Sequence, residues 1–165
     1  PGSLSGFSPS LRIERVTTAD EMYRASHAIF GETDITVMAA AVADYRPSEP
    51  ATEKIKKKEE TLTVKLMKTK DILQSLGDIK KEGQVLVGFA LETGNSEAYA
   101  REKLTRKNAD MIVLNSLSDA GAGFGLDTNK ITIFEKNGQQ FSFDIKPKQE
   151  VAKDIVDTII RHYYA

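Results

Sequence analysis

Apolar residues recur along this chain in two rhythms, one helical and one extended. Met22, Ala25, Ala28 and Ile29 follow at helical spacing behind Thr18-Ala19-Asp20-Glu21, a sequence that fits a capping box. A helix is predicted from Thr18 to Phe30, with Gly31 as its stop. Ile35 to Ala41 is a short continuous apolar run, which predicts a strand buried on both faces. Pro47 and Pro50 interrupt regular structure after it. Leu62, Val64 and Leu66 alternate with Thr63, Lys65 and Met67, the rhythm of a half-exposed strand. This strand is expected to pair with Lys54 to Lys57 across a turn near Glu59, as a hairpin or flap.

Further along, Asp71 is expected to open a short helix reaching about Lys80. Gln84 to Leu91 reads as a second buried strand, and Ser96 as the cap of a helix carrying Tyr99, Ala100, Lys103, Leu104 and Lys107. Met111 to Leu114 is a third buried strand. Asn137-Gly138 lies between Ile131–Phe134 and Phe141–Phe143, a strong signal for an antiparallel hairpin. Val151, Ile155, Val156, Ile159 and Ile160 share a helical face between Pro147 and Tyr163. Strands alternating with helices predict an α/β fold with a mostly parallel sheet covered on both faces. The expected organisation is a single domain over residues 1–165, with 1–15 as a loop or truncated edge.

Composition narrows the function. At 165 residues the chain can bury a substantial core. A net charge of -1 argues against a general nucleic-acid binder. There is no cysteine, hence no disulfide framework, thiolate nucleophile or Cys-based metal site. His27 and His162 lie far apart, which disfavours a histidine metal site or a Ser-His triad. No apolar run approaches the ~20 residues of a membrane span, and the opening PGSLSGFSPS lacks the basic and apolar regions of a signal peptide. A cytoplasmic protein is the expectation.

Candidate chemistry gathers where apolar runs end. In an open α/β sheet, ligands bind beyond the carboxyl ends of the strands. Asp44 comes after the first strand, where it is either a turn residue or a carboxylate for a ribose, an exocyclic amine or a phosphate-bound metal. Lys54, Lys56, Lys57 and Lys58 form a cationic stretch that is either a solvated edge or a phosphate clamp. Lys70-Asp71-Ile72-Leu73 places a cation and a cap at a helix start, where free N–H groups favour an anion. Phe89, near a strand end, is either core or a base-packing aromatic. Lys103 and Lys107 are four apart on one helix face. The Gly-rich AGAGFG run (Ala120 to Gly125) lacks GxGxxG spacing and is a weak dinucleotide signal.

Five segments together resemble the phosphopantothenate–cysteine ligase family, often the second half of a bifunctional bacterial coenzyme A biosynthesis protein. They are AAVADYRP (Ala40 to Pro47), EKIKK (Glu53 to Lys57), KDIL (Lys70 to Leu73), VGFALET (Val87 to Thr93) and AREKLTRKNADMIVLN (Ala100 to Asn115). Their order and spacing match from about Val16 to Tyr163. The resemblance implies a Rossmann-like three-layer sandwich with a β-flap and a C-terminal β-hairpin. It also implies a CTP-dependent ligase that joins 4′-phosphopantothenate to L-cysteine through an acyl cytidylate, with Mg²⁺ neutralising the triphosphate.

Carried over by motif, Ala41 and Asp44 lie at the cytidine end of the nucleotide. Lys70, Asp71, Ile72 and Leu73 contribute mainly through backbone groups, and Phe89 lies beside the base or ribose. Lys103 and Lys107 contact the nucleotide, and Lys54 is the catalytic lysine, closing over the intermediate from the flap. The family often carries Asn-Pro or Thr-Pro before the aspartate, where this chain has Thr69-Lys70. The family's domain also begins with an earlier βα unit, so this chain is expected to be the later portion of it. A homodimer, a fused or associated decarboxylase domain, and no FMN in this chain are further expectations. Two other classes compete: a non-catalytic nucleotide-binding module, and a Rossmann-type oxidoreductase, which the lack of an N-terminal GxGxxG disfavours.

Overall fold

The computed structural model describes residues 10–56, 60–92, 96–116 and 126–164, with the backbone alone at 92, 96 and 116. In chain order the elements are α1 (Ala19–Phe30), β1 (Ile35–Met38), β2 (Tyr45–Pro47), β3 (Leu66–Lys68), α2 (Ile72–Ile79) and β4 (Val85–Glu92). Next come α3 (Ser96–Arg106), β5 (Met111–Ser116), β6 (Thr128–Glu135), β7 (Gln140–Pro147) and α4 (Lys148–Tyr163). Strands β1, β4, β5, β6 and β7 form one sheet in that order. The β1–β4 and β4–β5 pairs are parallel, and the β6–β7 hairpin continues the sheet antiparallel from β5. Four of the five strands therefore point the same way, and β6 alone runs against them.

The two-residue period of the strands sorts the core onto two faces. Val85, Val87, Met111, Val113, Ile131 and Ile133 meet Val151, Ile155 and Ile159 of α4. On the other face Ala90, Ile112, Leu114 and Phe134 pack on Ala100 and Leu104 of α3. Leu86 on that face packs with Phe30 of α1 and with Ile72 and Leu76 of α2. This is the expected three-layer arrangement. The capping box at Thr18 is formed, with Thr18 Oγ1 accepting from the Glu21 N–H at 3.2 Å. The Asn137-Gly138 turn closes the hairpin with Gly138 at φ +90°, a conformation that favours glycine.

A buried ion pair fixes the end of the sheet away from the carboxyl ends of β1, β4 and β5. Lys80 Nζ donates to both carboxylate oxygens of Asp110, at 2.6 and 2.7 Å, and Asp110 Oδ2 also accepts from the Leu86 N–H at 2.7 Å. One side chain thus ties the end of α2 to the starts of β4 and β5. Beside it, Tyr163 donates its hydroxyl to the Asp110 carbonyl at 3.1 Å. Burial, with Glu135 and Asp110 nearby, raises the Tyr163 hydroxyl above its ordinary range.

Two predicted features differ. The first strand is shorter than Ile35 to Ala41 and is not buried on both faces: β1 ends at Met38 and lies at the sheet edge, with Ile35 and Val37 40% and 45% exposed. The flap pairing also differs. Strand β3 pairs antiparallel with Tyr45–Pro47 and, among the described residues, not with Lys54–Lys56; the predicted turn near Glu59 lies outside the described residues. Ser48 N–H and the Thr69 N–H extend that ribbon, donating to the Lys65 and Asp44 carbonyls at 2.9 and 2.8 Å. The extended Tyr-Arg-Pro segment thus takes the strand's open edge, while residues 53–56 carry no strand. The AGAGFG run, Lys57, Lys58 and the residue preceding α3 lie outside the described residues. Among the described residues no helix is long and apolar enough to cross a membrane.

Candidate nucleotide site

A cavity of about 270 Å³ opens at the carboxyl ends of β1 and β4. Four segments build it: the chain leaving β1 (Met38, Ala40, Val42, Ala43, Asp44), the entry to α2 (Thr69 to Leu73), Phe89 of β4, and the end of α3 (Lys103, Arg106, Lys107). Of the sequence-predicted residues it brings together Asp44, Lys70, Asp71, Ile72, Leu73, Phe89, Lys103 and Lys107. Ala41 lines the neighbouring cavity, of about 630 Å³, between the start of α1 and residues 40–47. Lys54 is exposed and lines neither cavity. The larger cavity is mostly apolar at its walls, whereas the smaller one concentrates the charge.

Local sequence explains each placement. Asp71 is the N-cap of α2, its Oδ1 accepting from the Gln74 N–H at 3.0 Å, which satisfies one free donor of the first turn. Thr69 ties this entry to the chain leaving β1: its hydroxyl donates to the Ala43 carbonyl at 2.6 Å. Gly88 lets the entry sit low on the sheet, because a Cβ there would lie 2.5 Å from Leu73 Cδ2. Gly77 does the same for α3, since its Cβ would meet the Lys107 carbonyl oxygen at 1.9 Å. Asn108, just past α3, adopts φ +47°, a left-handed conformation that asparagine tolerates, and donates its side-chain amide to the Gly77 carbonyl at 2.8 Å.

The cations are held, not loose. Lys107 is only 6% exposed, and its ammonium pairs with Asp71 Oδ2. Lys103 donates to the Phe89 carbonyl at 2.8 Å. Lys70 Nζ lies 4.3 Å from the centre of the Tyr23 ring. Burial pushes the Asp71 carboxyl up, but the hydrogen bonds from Lys107 and the Gln74 N–H, with the charges of Lys107 and Arg106, outweigh it and hold the group below its ordinary value. Four cations, Lys70, Lys103, Arg106 and Lys107, face two carboxylates, Asp44 and Asp71. The cavity therefore carries a cationic excess beside the start of α2, the positive end of that helix, a setting that favours a polyanion. Among the described residues no group of three or more histidine, cysteine or acidic side chains could hold a metal. A Mg²⁺ arriving on a triphosphate needs no such cage, because it is held by one or two carboxylates and by phosphates.

Sequence reasoning missed Arg106, Thr69 and the apolar wall Met38, Ala40 and Val42. Arg106 had a usable signal: it is three residues from Lys103 and adjacent to Lys107, on the helix end already singled out.

The fold and site define an α/β, Rossmann-like protein with a cationic ligand cavity at its strand ends. The chain belongs to the DNA/pantothenate metabolism flavoprotein C-terminal domain family, whose model matches residues 3–163. It is 47% identical over 160 residues to a cysteine/cysteine sulfinic acid decarboxylase from an unknown prokaryotic organism, covering 97% of this chain and 45% of that protein. It is 43% identical over 159 residues to the coenzyme A biosynthesis bifunctional protein CoaBC of Bacillus subtilis (strain 168), covering 96% of this chain and 37% of that protein. A crystal structure of the C-terminal domain of coenzyme A biosynthesis bifunctional protein CoaBC superimposes with a TM-score of 0.70 at 35% identity, covering 87% of this chain and 62% of that one. The chain thus spans less than half the length of these two curated relatives.

Proposed function

We propose that this chain carries out the nucleotide-dependent ligation of coenzyme A biosynthesis, joining 4′-phosphopantothenate to L-cysteine at the expense of CTP. One observation carries the reading: eight of the sequence-predicted site residues, drawn from the KDIL, VGFALET, AAVADYRP and AREKLTRKNADMIVLN segments, line a single cation-rich cavity. The likeness to CoaBC over nearly the whole chain supports the same reading.

In the first step a carboxylate oxygen of phosphopantothenate attacks the α-phosphorus of CTP. The bond to the bridging oxygen breaks and pyrophosphate leaves. In the second step the cysteine amine attacks the acyl carbon, loses a proton, and CMP departs with the carboxylate oxygen. Both steps build charge on phosphate oxygens, so fixed cations and helix N–H groups lower the barrier mainly by electrostatics and positioning. Lys103, Arg106 and Lys107 serve the phosphates, with backbone groups of residues 70–73. Phe89 packs beside the base or ribose, while Asp44 and Ala41 mark the cytidine end. Mg²⁺ bound to the triphosphate supplies further charge neutralisation. Lys54, on the segment between β2 and β3, closes over the acyl cytidylate. The reading extends to a homodimer and to a partnership with a phosphopantothenoylcysteine decarboxylase domain.

The name of the 47% identical relative suggests a second chemistry, loss of carbon dioxide from a cysteine-type acid. A turnover assay separates the two. Incubation with phosphopantothenate, cysteine, Mg²⁺ and CTP is expected to release CMP and pyrophosphate in step with amide formation. Release of carbon dioxide from cysteine without nucleotide cleavage overturns the ligase reading. CTP binding without turnover leaves a nucleotide-binding module.

A further inference from the structure

Lys70 is attached to α1 through a chain of side chains that the ligation chemistry itself does not require. Its ammonium lies 4.3 Å from the Tyr23 ring centre. The Tyr23 ring lies 4.1 Å from that of His27, one helical turn later, at an interplanar angle of 32°. His27 Nε2 is 2.9 Å from Ser75 Oγ, and that hydroxyl donates its one proton to the Ile72 carbonyl at 2.8 Å. The Ser75 hydroxyl thus bridges the His27 ring and the Ile72 carbonyl. The series Lys70, Tyr23, His27, Ser75 and Ile72 therefore begins and ends on the entry to α2.

We propose that the Lys70 ammonium, and not only the backbone around it, binds nucleotide phosphate, and that Tyr23, braced by His27 and Ser75, is the positioning residue that holds it at the cavity rim. The proposal deepens the nucleotide reading and rests on it. The geometry suits the task. An ammonium has three donors and a ring face occupies one side of it, so the others stay available to an anion. Lysine otherwise loses much rotamer freedom when it binds, and a ring that already restricts it removes part of that cost. Tyr23 itself does not line the cavity, so its influence on a ligand must pass through Lys70.

The test is a double-mutant cycle read by titration of Mg-CTP, Mg-CDP and CMP into the wild type, Y23L, Y23F, K70Q and Y23L/K70Q. Y23L is expected to weaken Mg-CTP binding about two- to fivefold, with a smaller effect on CMP. Y23F keeps the ring face and is expected to bind as the wild type does. In the K70Q background, Y23L is expected to have no further effect. Carbon-labelled lysine gives a second readout: the Lys70 side-chain resonances are expected to show a ring-current shift that disappears in Y23L and remains in Y23F. Equal losses in Y23F and Y23L, or a Y23L effect that persists in K70Q, overturn the positioning role. Mg-CTP binding unchanged in K70Q overturns the inference and spares the ligase reading. No CTP binding by the folded wild type overturns both.

Discussion

Lys107 lies along α2 with its carbonyl against Gly77 and its ammonium on Asp71, six residues nearer the start of that helix. The lysine stem thus runs from its backbone contact with Gly77 to the start of α2, where Asp71 holds the charge at the cavity. The same carboxylate caps α2, the helix whose start borders the cavity. Removing the ammonium deprives Asp71 of a charge-assisted bond and, on the proposed function, the nucleotide of a cationic partner. K107Q is expected to weaken CTP binding tenfold or more, since hydrogen bonds to charged groups contribute about 1.5–3 kcal/mol. Calorimetric titration checks this; unchanged affinity contradicts the assignment.

The Asp71 carboxyl is held below its ordinary value, which sets the sign of a pH effect. Its stabilising contribution is present above the unfolded value of about 3.9 and is lost as pH falls through the lower folded value. The side chain is 45% exposed, so solvent screening keeps the contribution small, about 1 kcal/mol or less. D71N is expected to lower Tm near neutral pH, and the gap from wild type is expected to narrow below about pH 4. A gap constant down to pH 2 contradicts the pairing.

Gly77 faces backbone, not a movable side-chain tip. G77A would place its Cβ 1.9 Å from the Lys107 oxygen and 2.9 Å from the carbonyl carbon. Helix α2 or the end of α3 must then shift, at a cost of about 1–3 kcal/mol. Denaturant unfolding is expected to show that loss, together with weakened nucleotide binding because Lys107 moves. A neutral substitution contradicts the close approach.

Lys80 and Asp110, 8% and 14% exposed, form the buried pair at the far end of the sheet. K80M strands the carboxylate and is expected to cost about 3–5 kcal/mol. Because Lys80 lies far from the cavity, nucleotide affinity per folded molecule is expected to stay unchanged. Loss of affinity without loss of stability contradicts this division.

Lys54 stands outside the cavity, on the exposed segment between β2 and β3. If that segment closes only over the intermediate, K54Q spares CTP binding and blocks product formation. Equilibrium titration and a CMP-release assay read the two separately. Unchanged turnover contradicts a catalytic part for Lys54.

Local signals carried far in this chain, and non-local ones did not. Thr18 and Glu21 announced a helix start, Asp71 announced another, and Asn137-Gly138 announced the hairpin. Each depends on neighbours within four residues. The alternation around Leu62–Met67 indicates extended chain but does not name its partner, because strand pairing is non-local and the alternation itself carries no register. The run from Ile35 gave strand character, but hydrophobicity alone does not separate a central strand from an edge strand. The Lys107–Asp71 pair spans 36 residues, and no pattern along the chain encodes it. The resemblance assigns roles to Asp44, Phe89 and Lys103; position at a strand end leaves the first two open between structure and ligand, and a shared helix face with Lys107 leaves Lys103 open.

The most direct test of the central claim is titration of the protein with Mg-CTP, followed by Mg-ATP as control. Saturable binding that prefers CTP, and that falls in K107Q and R106Q, is the result the proposed function predicts. Binding that is absent in the folded protein, or unaffected by either substitution, would contradict a nucleotide site at the ends of β1 and β4.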